Sequence, residues 1–284
     1  MGRVVVVTDS TANLPSELVE EYGIPIIPLN VHWGQEMYKD GITLDSETFY
    51  RWLQEREDFP TTSQPSVGEF IEFFQEVAET YQADTIIGIF ISSVLSGTFA
   101  SATQAKEQLP ELRIEVVDSY SVSMGVGFQV LVAARAIREG ASVDEALAQV
   151  CRTRDNTHLI FVVDTLEYLH RGGRIGGAAR LLGTALNLKP VLAIESGQVE
   201  ALGKVRSRRK SLRELMKIAE ERLNGYRPVE LAVVQAVAEG EAALLMRQVS
   251  ERFKPGQLYT SILTPVVGTH GGPGTVGVVF YTEK

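Results

Sequence analysis

The sequence predicts an α/β protein in two units: an N-terminal α/β domain on a parallel sheet, residues 1–162, and a C-terminal α/β domain on a mixed or antiparallel sheet, residues 163–284. Three observations predict it. Over roughly the first 160 residues, short β-branched runs alternate with longer segments of helical period, the rhythm of βαβ units. Beyond residue 164 there are fewer helices per strand, which suits a mixed or antiparallel sheet. At about 100–200 residues per domain, 284 residues make one large domain or two, and 44% hydrophobic residues are enough for a sizeable core.

In chain order, strands are expected at 3–7, 24–29, 85–91 and 113–117, and helices at 16–22, 46–57, 66–81, 98–108, 125–139 and 142–153. Start signals support several helices: Asp45 or Ser46 precedes Glu47, while Ser66 with Glu69 and Ser142 with Glu145 have capping-box spacing. A strand at 159–164 marks the boundary. After it come a helix at 165–169, a glycine-rich stretch at 170–177 and an apolar helix at 178–188. Strands at 190–194 and 199–205 read as a hairpin turning at Ser196-Gly197, then come a helix at 210–224, a strand at 229–234, a helix at 241–252 and strands at 259–263 and 276–281.

A net charge of −9 disfavours a protein that coats nucleic acid or anionic membrane. The expected partners are small molecules or proteins. One cysteine, Cys151, allows no internal disulfide framework. The longest apolar run, 122–137, is interrupted by Ser123, Gln129 and Arg135, so no integral membrane segment is expected. No signal peptide is read at the start, and the expected location is cytoplasmic.

Hydroxyl-rich clusters recur where strands end or helices begin: Thr8-Asp9-Ser10-Thr11, Thr61-Thr62-Ser63-Gln64-Pro65-Ser66, Ser92-Ser93 through Ser96-Gly97-Thr98, and Asp118-Ser119-Tyr120-Ser121. In an open parallel sheet the carboxyl ends of the strands form the ligand crevice, so these clusters should converge. Each alone also reads as a satisfied helix cap or turn. Neutral hydroxyls and helix amino termini suit a carboxylate or phosphate oxygen.

A glycine-dense segment, Gly268 to Gly274, reads as a loop between two strands that brings His270 onto a ligand head, or as a plain hairpin. The run Lys204 to Lys210 holds five basic residues in seven; as a strand it would align Lys204, Arg206 and Arg208 for phosphate or an acidic partner, and otherwise it is a solvated face. His170 to Gly177 has the composition of a phosphate loop without its GxxxxGK[ST] spacing, and tight interdomain packing with Arg171 reaching the cleft fits equally. Gly125-Val126-Gly127 is half a dinucleotide fingerprint, with Val130 at the third glycine position. No G-x-S-x-G nucleophile elbow occurs, and the histidines and Cys151 are too scattered for a zinc site.

The motifs Val7-Thr8-Asp9-Ser10-Thr11, Thr62-Ser63-Gln64-Pro65-Ser66, Ser92-Ser93 with Leu95-Ser96-Gly97-Thr98, Val117-Asp118-Ser119, Arg171-Gly172-Gly173-Arg174-Ile175 and His270 with Gly272-Pro273-Gly274, in this order, resemble the DegV family of lipid-binding proteins over nearly the whole chain. The resemblance implies two α/β domains with a ligand tunnel between them, holding a long-chain fatty acid such as palmitate, stearate or oleate, and no cofactor or metal. It implies a carboxylate held by Thr62 and Ser93 with His270, and by neighbouring Ser63, Ser96 and Ser119, and a tail running past Phe128, Leu166, Leu181, Leu182 and Leu186. It further implies presentation of the acid to a separate fatty acid kinase of the dihydroxyacetone-kinase-like type, with Arg206 and Arg171 docking that kinase or positioning the head. Phe99 and Gly176 stand where the family more often has Tyr and Ser. The alternative reading is a serine-dependent lipid esterase or acyl hydrolase using Ser93 or Ser96, and a third is a dinucleotide-binding domain.

Overall fold

The computed structural model describes residues 2–183 and 188–283. The chain begins with β1 (Val4–Asp9), α1 (Ser16–Tyr22), β2 (Ile26–Ile27), β3 (Asn30–Trp33), β4 (Glu36–Lys39), α2 (Ser46–Glu55) and β5 (Thr61–Ser63). It continues with α3 (Val67–Tyr81), β6 (Thr85–Phe90), α4 (Thr98–Glu107), β7 (Arg113–Asp118), α5 (Met124–Arg138) and α6 (Val143–Asp155). Strands β2, β1, β6 and β7, in that order, make a parallel sheet, and β4, β3 and β5 make a small antiparallel one. The sequence periodicity predicts a single strand over 24–29 in this region and no second sheet. The strands of the antiparallel sheet are three or four residues long, too short for period-two alternation to register.

The expected caps form. Ser66 and Ser142 each accept from the amide three residues on, while Glu69 and Glu145 reach back to them. In α3, Phe70, Phe74 and Val77 recur at helical spacing and pack with Val5, Val7, Ile86 and Phe90 on one face of the parallel sheet. Helix α5 covers the opposite face, and eleven of its 15 residues are buried. Its glycines serve close packing: a Cβ on Gly125 would lie 2.0 Å from Ser121 Oγ, and one on Gly127 would lie 3.0 Å from the Ala12 carbonyl oxygen.

Next come β8 (Thr157–Val162), α7 (Glu167–Arg171), a 3-10 turn at Gly176–Leu181, β9 (Val191–Glu195), β10 (Gln198–Gly203), α8 (Arg208–Leu223), β11 (Glu230–Gln235), α9 (Glu239–Phe253), β12 (Gln257–Ile262), α10 (Pro265–Gly271) and β13 (Val276–Tyr281). The second large sheet runs β10-β9-β8-β13-β11-β12 and is mixed, with β11 and β12 its parallel pair. β8 hydrogen-bonds to β9 and β13, so this sheet begins at Thr157. The hairpin turns at Ser196 and Gly197, both at positive φ.

Alternation along these strands gives the sheet two apolar faces. Ile160, Val162, Leu231, Val233, Val278 and Phe280 pack under α8 and α9. Leu159, Phe161, Ile194, Ala232 and Val234 face the parallel sheet and α5. The layers are therefore helices, parallel sheet, α5 with a cavity beside it, mixed sheet, helices.

Three expectations in this half change. The helix read over 178–188 is a 3-10 turn ending at Leu181, where Leu182 is extended and Gly183, at φ 74°, is left-handed; residues 184–187, Leu186 among them, lie outside the described residues. The glycine-dense loop is half helix: His270 sits in the last turn of α10. The basic row does not form, because β10 ends at Gly203 and Arg208 opens α8, where it pairs with Glu241 at 2.5 Å.

Candidate functional site

A cavity of about 100 Å³ lies between the two large sheets, several times the roughly 10–15 Å³ that one water needs on the same measure. One wall is the inner face of the mixed sheet, through Leu159, Phe161, Ile194, Val199 and Val234. The opposite wall is built by the segments just beyond the parallel strands: Thr11 after β1, Ile91, Leu95 and Ser96 after β6, and Val122 and Ser123 after β7. The clusters after β1 and β6 thus converge as the crevice argument requires. β5 and α10 close the remaining side with Thr62, Ser63, Gln64, Val266 and His270.

The polar groups are ordered by hydrogen bonds. Thr62 Oγ1 lies 2.8 Å from His270 Nε2. With the ring proton on Nε2, the imidazole donates to Thr62, and the threonine hydroxyl proton is free for an acceptor in the cavity. Ser63 Oγ lies 2.8 Å from His32 Nε2 and accepts from Asn30 Nδ2 at 3.3 Å. Ser96 Oγ lies 2.8 Å from Thr98 Oγ1 and accepts from the Thr98 amide, so this serine caps a turn and lines the cavity at once. Arg174 donates to the carbonyls of Leu95 and Gly172 at 3.0 and 2.8 Å, tying two loops together at the cavity edge.

Burial, then the Arg174 charge, depresses the His270 pKa from 6.5 to about 4, so at neutral pH the ring is uncharged. Gly172 makes room for it: a Cβ there would lie 2.1 Å from His270 Nδ1. Arg174 is then the one fixed positive charge among the described residues lining the cavity. Neutral donors with one cation and apolar walls suit an amphiphile with an anionic oxygen head.

Thr62, Ser63, Ser96 and His270 are thus brought together, and other expected residues stand elsewhere. Ser93 is exposed, with its amide donating to Asp118 at 3.2 Å, and does not line the cavity. Ser119 is buried in a local turn, bonded to the backbone of Ser121. Arg171 is exposed, paired with Glu167 at 2.8 Å and stacked over Phe59. Phe128 is fully buried, its ring 5.5 Å from Tyr281. Leu166, Leu181 and Leu182 line a separate depression beside Asp164 and Lys189. Phe128, Leu166, Leu181 and Leu182 thus stand apart from this cavity, and Leu186 lies outside the described residues. The apolar wall of the cavity comes instead from one face of β8, β9, β10 and β11. The described hydrogen bonds of His270 and His32 run to Thr62 and Ser63 and not to Ser93 or Ser96.

The family model described as "Uncharacterised protein, DegV family" matches residues 3–283. The chain belongs to the DegV family. It is 39% identical over 279 residues to a DegV domain-containing protein of Streptomyces coelicolor, covering 98% of each chain. Among solved structures, it is similar to a fatty-acid-binding DegV family protein of Thermus thermophilus, with TM-score 0.93 and 37% identity over 99% of this chain and 100% of that one. It is also similar to DegV of Bacillus subtilis, a fatty acid binding protein, with TM-score 0.91 and 32% identity over 100% of both. These DegV neighbours share the two-domain α/β fold found here. Among the described residues, no helix is long and apolar enough to cross a membrane, and no group of His, Cys, Asp and Glu could hold a metal ion.

Sequence reasoning missed Arg174, Gln64 and Ser123. Arg174 stands in the same motif as Arg171, and no spacing rule separates an arginine that points to the cavity from one that points to solvent.

Proposed function

We propose that this DegV-family chain binds one long-chain fatty acid in the cavity between its sheets and acts as a carrier rather than an enzyme. The observation that carries the reading is a dominantly apolar cavity meeting the Thr62–His270 pair, with Arg174 as its fixed cation. The fatty-acid-binding DegV proteins of Thermus thermophilus and Bacillus subtilis support it. Thr62, Ser63, Ser96 and His270 orient the carboxylate. At about 0.8 kcal/mol per buried methylene, some fifteen methylenes give on the order of 12 kcal/mol before ordering costs. Neutral hydrogen bonds at roughly 1 kcal/mol each cannot rival that, so they fix the position of the head. Native mass spectrometry of the purified protein tests this. A co-purified mass matching one C14–C18 acid is expected; an empty protein that turns over esters and reacts with a fluorophosphonate favours the hydrolase reading.

The same proposal places the chain in the cytoplasm, handing its acid to a separate fatty acid kinase of the dihydroxyacetone-kinase-like type that makes an acyl phosphate for lipid synthesis. Arg206 supports the docking role by its exposure, with no ion pair among the described residues. Arg206→Ala is expected to keep its lipid and lower the rate of acyl-phosphate formation at least tenfold in a kinase-coupled assay. An unchanged rate removes Arg206 from the docking surface.

A further inference from the structure

Ser123 holds the N-cap position of α5, yet its side chain makes no cap hydrogen bond. It is 2% exposed, and its backbone sits at φ 55°, ψ −145°, a conformation that favours glycine. Its hydroxyl oxygen is buried with no hydrogen-bond partner, and the residue lines the cavity. A serine at this point of a helix ordinarily turns back onto the first amides. This one, held in a strained conformation, makes no such bond, and it stands in the cavity wall.

Its neighbours on that wall do not satisfy it. The Thr11 hydroxyl is committed to Asp9, and Ile91 and Val122 are apolar. Behind Ser123 lies the amino end of a 15-residue helix, whose dipole adds partial positive charge. The Thr62–His270 pair comes from other elements, β5 and α10, and both of its members are hydrogen-bonded, so Ser123 differs from it in being a cavity-lining hydroxyl that still lacks a partner.

We infer that Ser123 is a polar subsite for an oxygen carried on the ligand's chain, so that the cavity selects a hydroxylated long-chain acid over the unsubstituted acid of equal length. This rests on the fatty-acid reading of the cavity. The probes are palmitate and a positional series of hydroxypalmitates, titrated calorimetrically into delipidated protein. At least one positional isomer is expected to bind wild type about fivefold more tightly than palmitate, and Ser123→Ala to bring the ratio of the two affinities to one. Ser123→Gly, which suits the local backbone, is expected to do the same and guards against misfolding of the alanine variant. The inference is overturned if every hydroxy isomer binds wild type no better than palmitate, or if the preference survives in both variants, as it would where an internal water satisfies Ser123. Failure of palmitate itself to bind counts against the fatty-acid reading, and this inference falls with it.

Discussion

The two large sheets meet the cavity in different ways. The parallel sheet presents the loops and helix starts at its strand ends, in which Thr11, Ser96 and Ser123 stand among apolar residues. The mixed sheet presents a face, and its side chains at the cavity, Leu159, Phe161, Ile194, Val199 and Val234, are all apolar. Strand termini leave backbone groups and capping hydroxyls that point along the chain direction, whereas a pleated face delivers alternate side chains at right angles to it. An amphiphile needs both kinds of surface, and two sheets set at different aspects to one cavity provide them. The loops should then govern position and the face affinity.

The strongest way to break that division is to charge the face. Val234→Asp puts a carboxylate on the apolar wall, where an apolar tail would have to desolvate it. Fatty acid affinity is expected to fall at least about 100-fold by calorimetry, while the Thr62–His270 pair stays intact. A loss no larger than that of a loop variant would dissolve the distinction.

The second test sets the antiparallel sheet and α10 against each other by pH. Asp40, just past the end of β4, is fully enclosed; it accepts from Ser10 Oγ at 2.6 Å and from the Val266 amide at 3.1 Å, and burial raises its pKa from 3.8 to about 6. The stability it contributes is full below 3.8 and is lost as pH rises through 6, about 3 kcal/mol in all. His270 works in the opposite sense: with its pKa depressed from 6.5 to about 4, its contribution is full above 6.5 and is lost as pH falls through 4. Over about pH 4–6 the two slopes oppose. Relative to wild type, Asp40→Asn should therefore make the urea midpoint rise more steeply with pH across this window, and His270→Asn make it rise less steeply or fall. The same slope in both variants would separate these groups from the pH response.

Gly172→Ala acts on the loop side alone. Its Cβ meets the His270 ring, which must leave its niche and release Thr62. Binding is expected to weaken about tenfold, with the His270 resonance titrating closer to 6.5 by NMR. A ring still titrating near 4 means that the loop gave way instead.

Much of the loop side was legible in the sequence. Thr62, Ser63, Ser96 and His270 announce themselves because hydroxyls and glycines cluster where chain direction changes, and those places can be read from strand and helix periodicity. The capping boxes at Ser66 and Ser142 were legible for the same local reason. The face was not. Phe161 and Ile194 read as ordinary strand interior, since alternation shows that a strand has two faces but not which face meets a cavity and which meets α8 and α9. Ser93 shows the converse limit: it stands in the right cluster, yet it is exposed, with its amide donating to Asp118.

Thr62→Ala should be the mildest change, and it is the sharpest probe of what the loops do. It removes one neutral hydroxyl at the cavity edge, worth about 1 kcal/mol net and so roughly fivefold in affinity. The apolar wall of Leu159, Phe161 and Val234 is untouched by the change. Orientation should suffer more than occupancy: lipid is expected to co-purify almost as with wild type, while the bound carboxylate, tracked by 13C NMR of carboxyl-labelled palmitate, broadens or shifts as its position is no longer fixed. An unshifted carboxylate with wild-type affinity would move the head away from the Thr62–His270 pair. A hundredfold loss would mean that the loops, and not the face, hold the ligand.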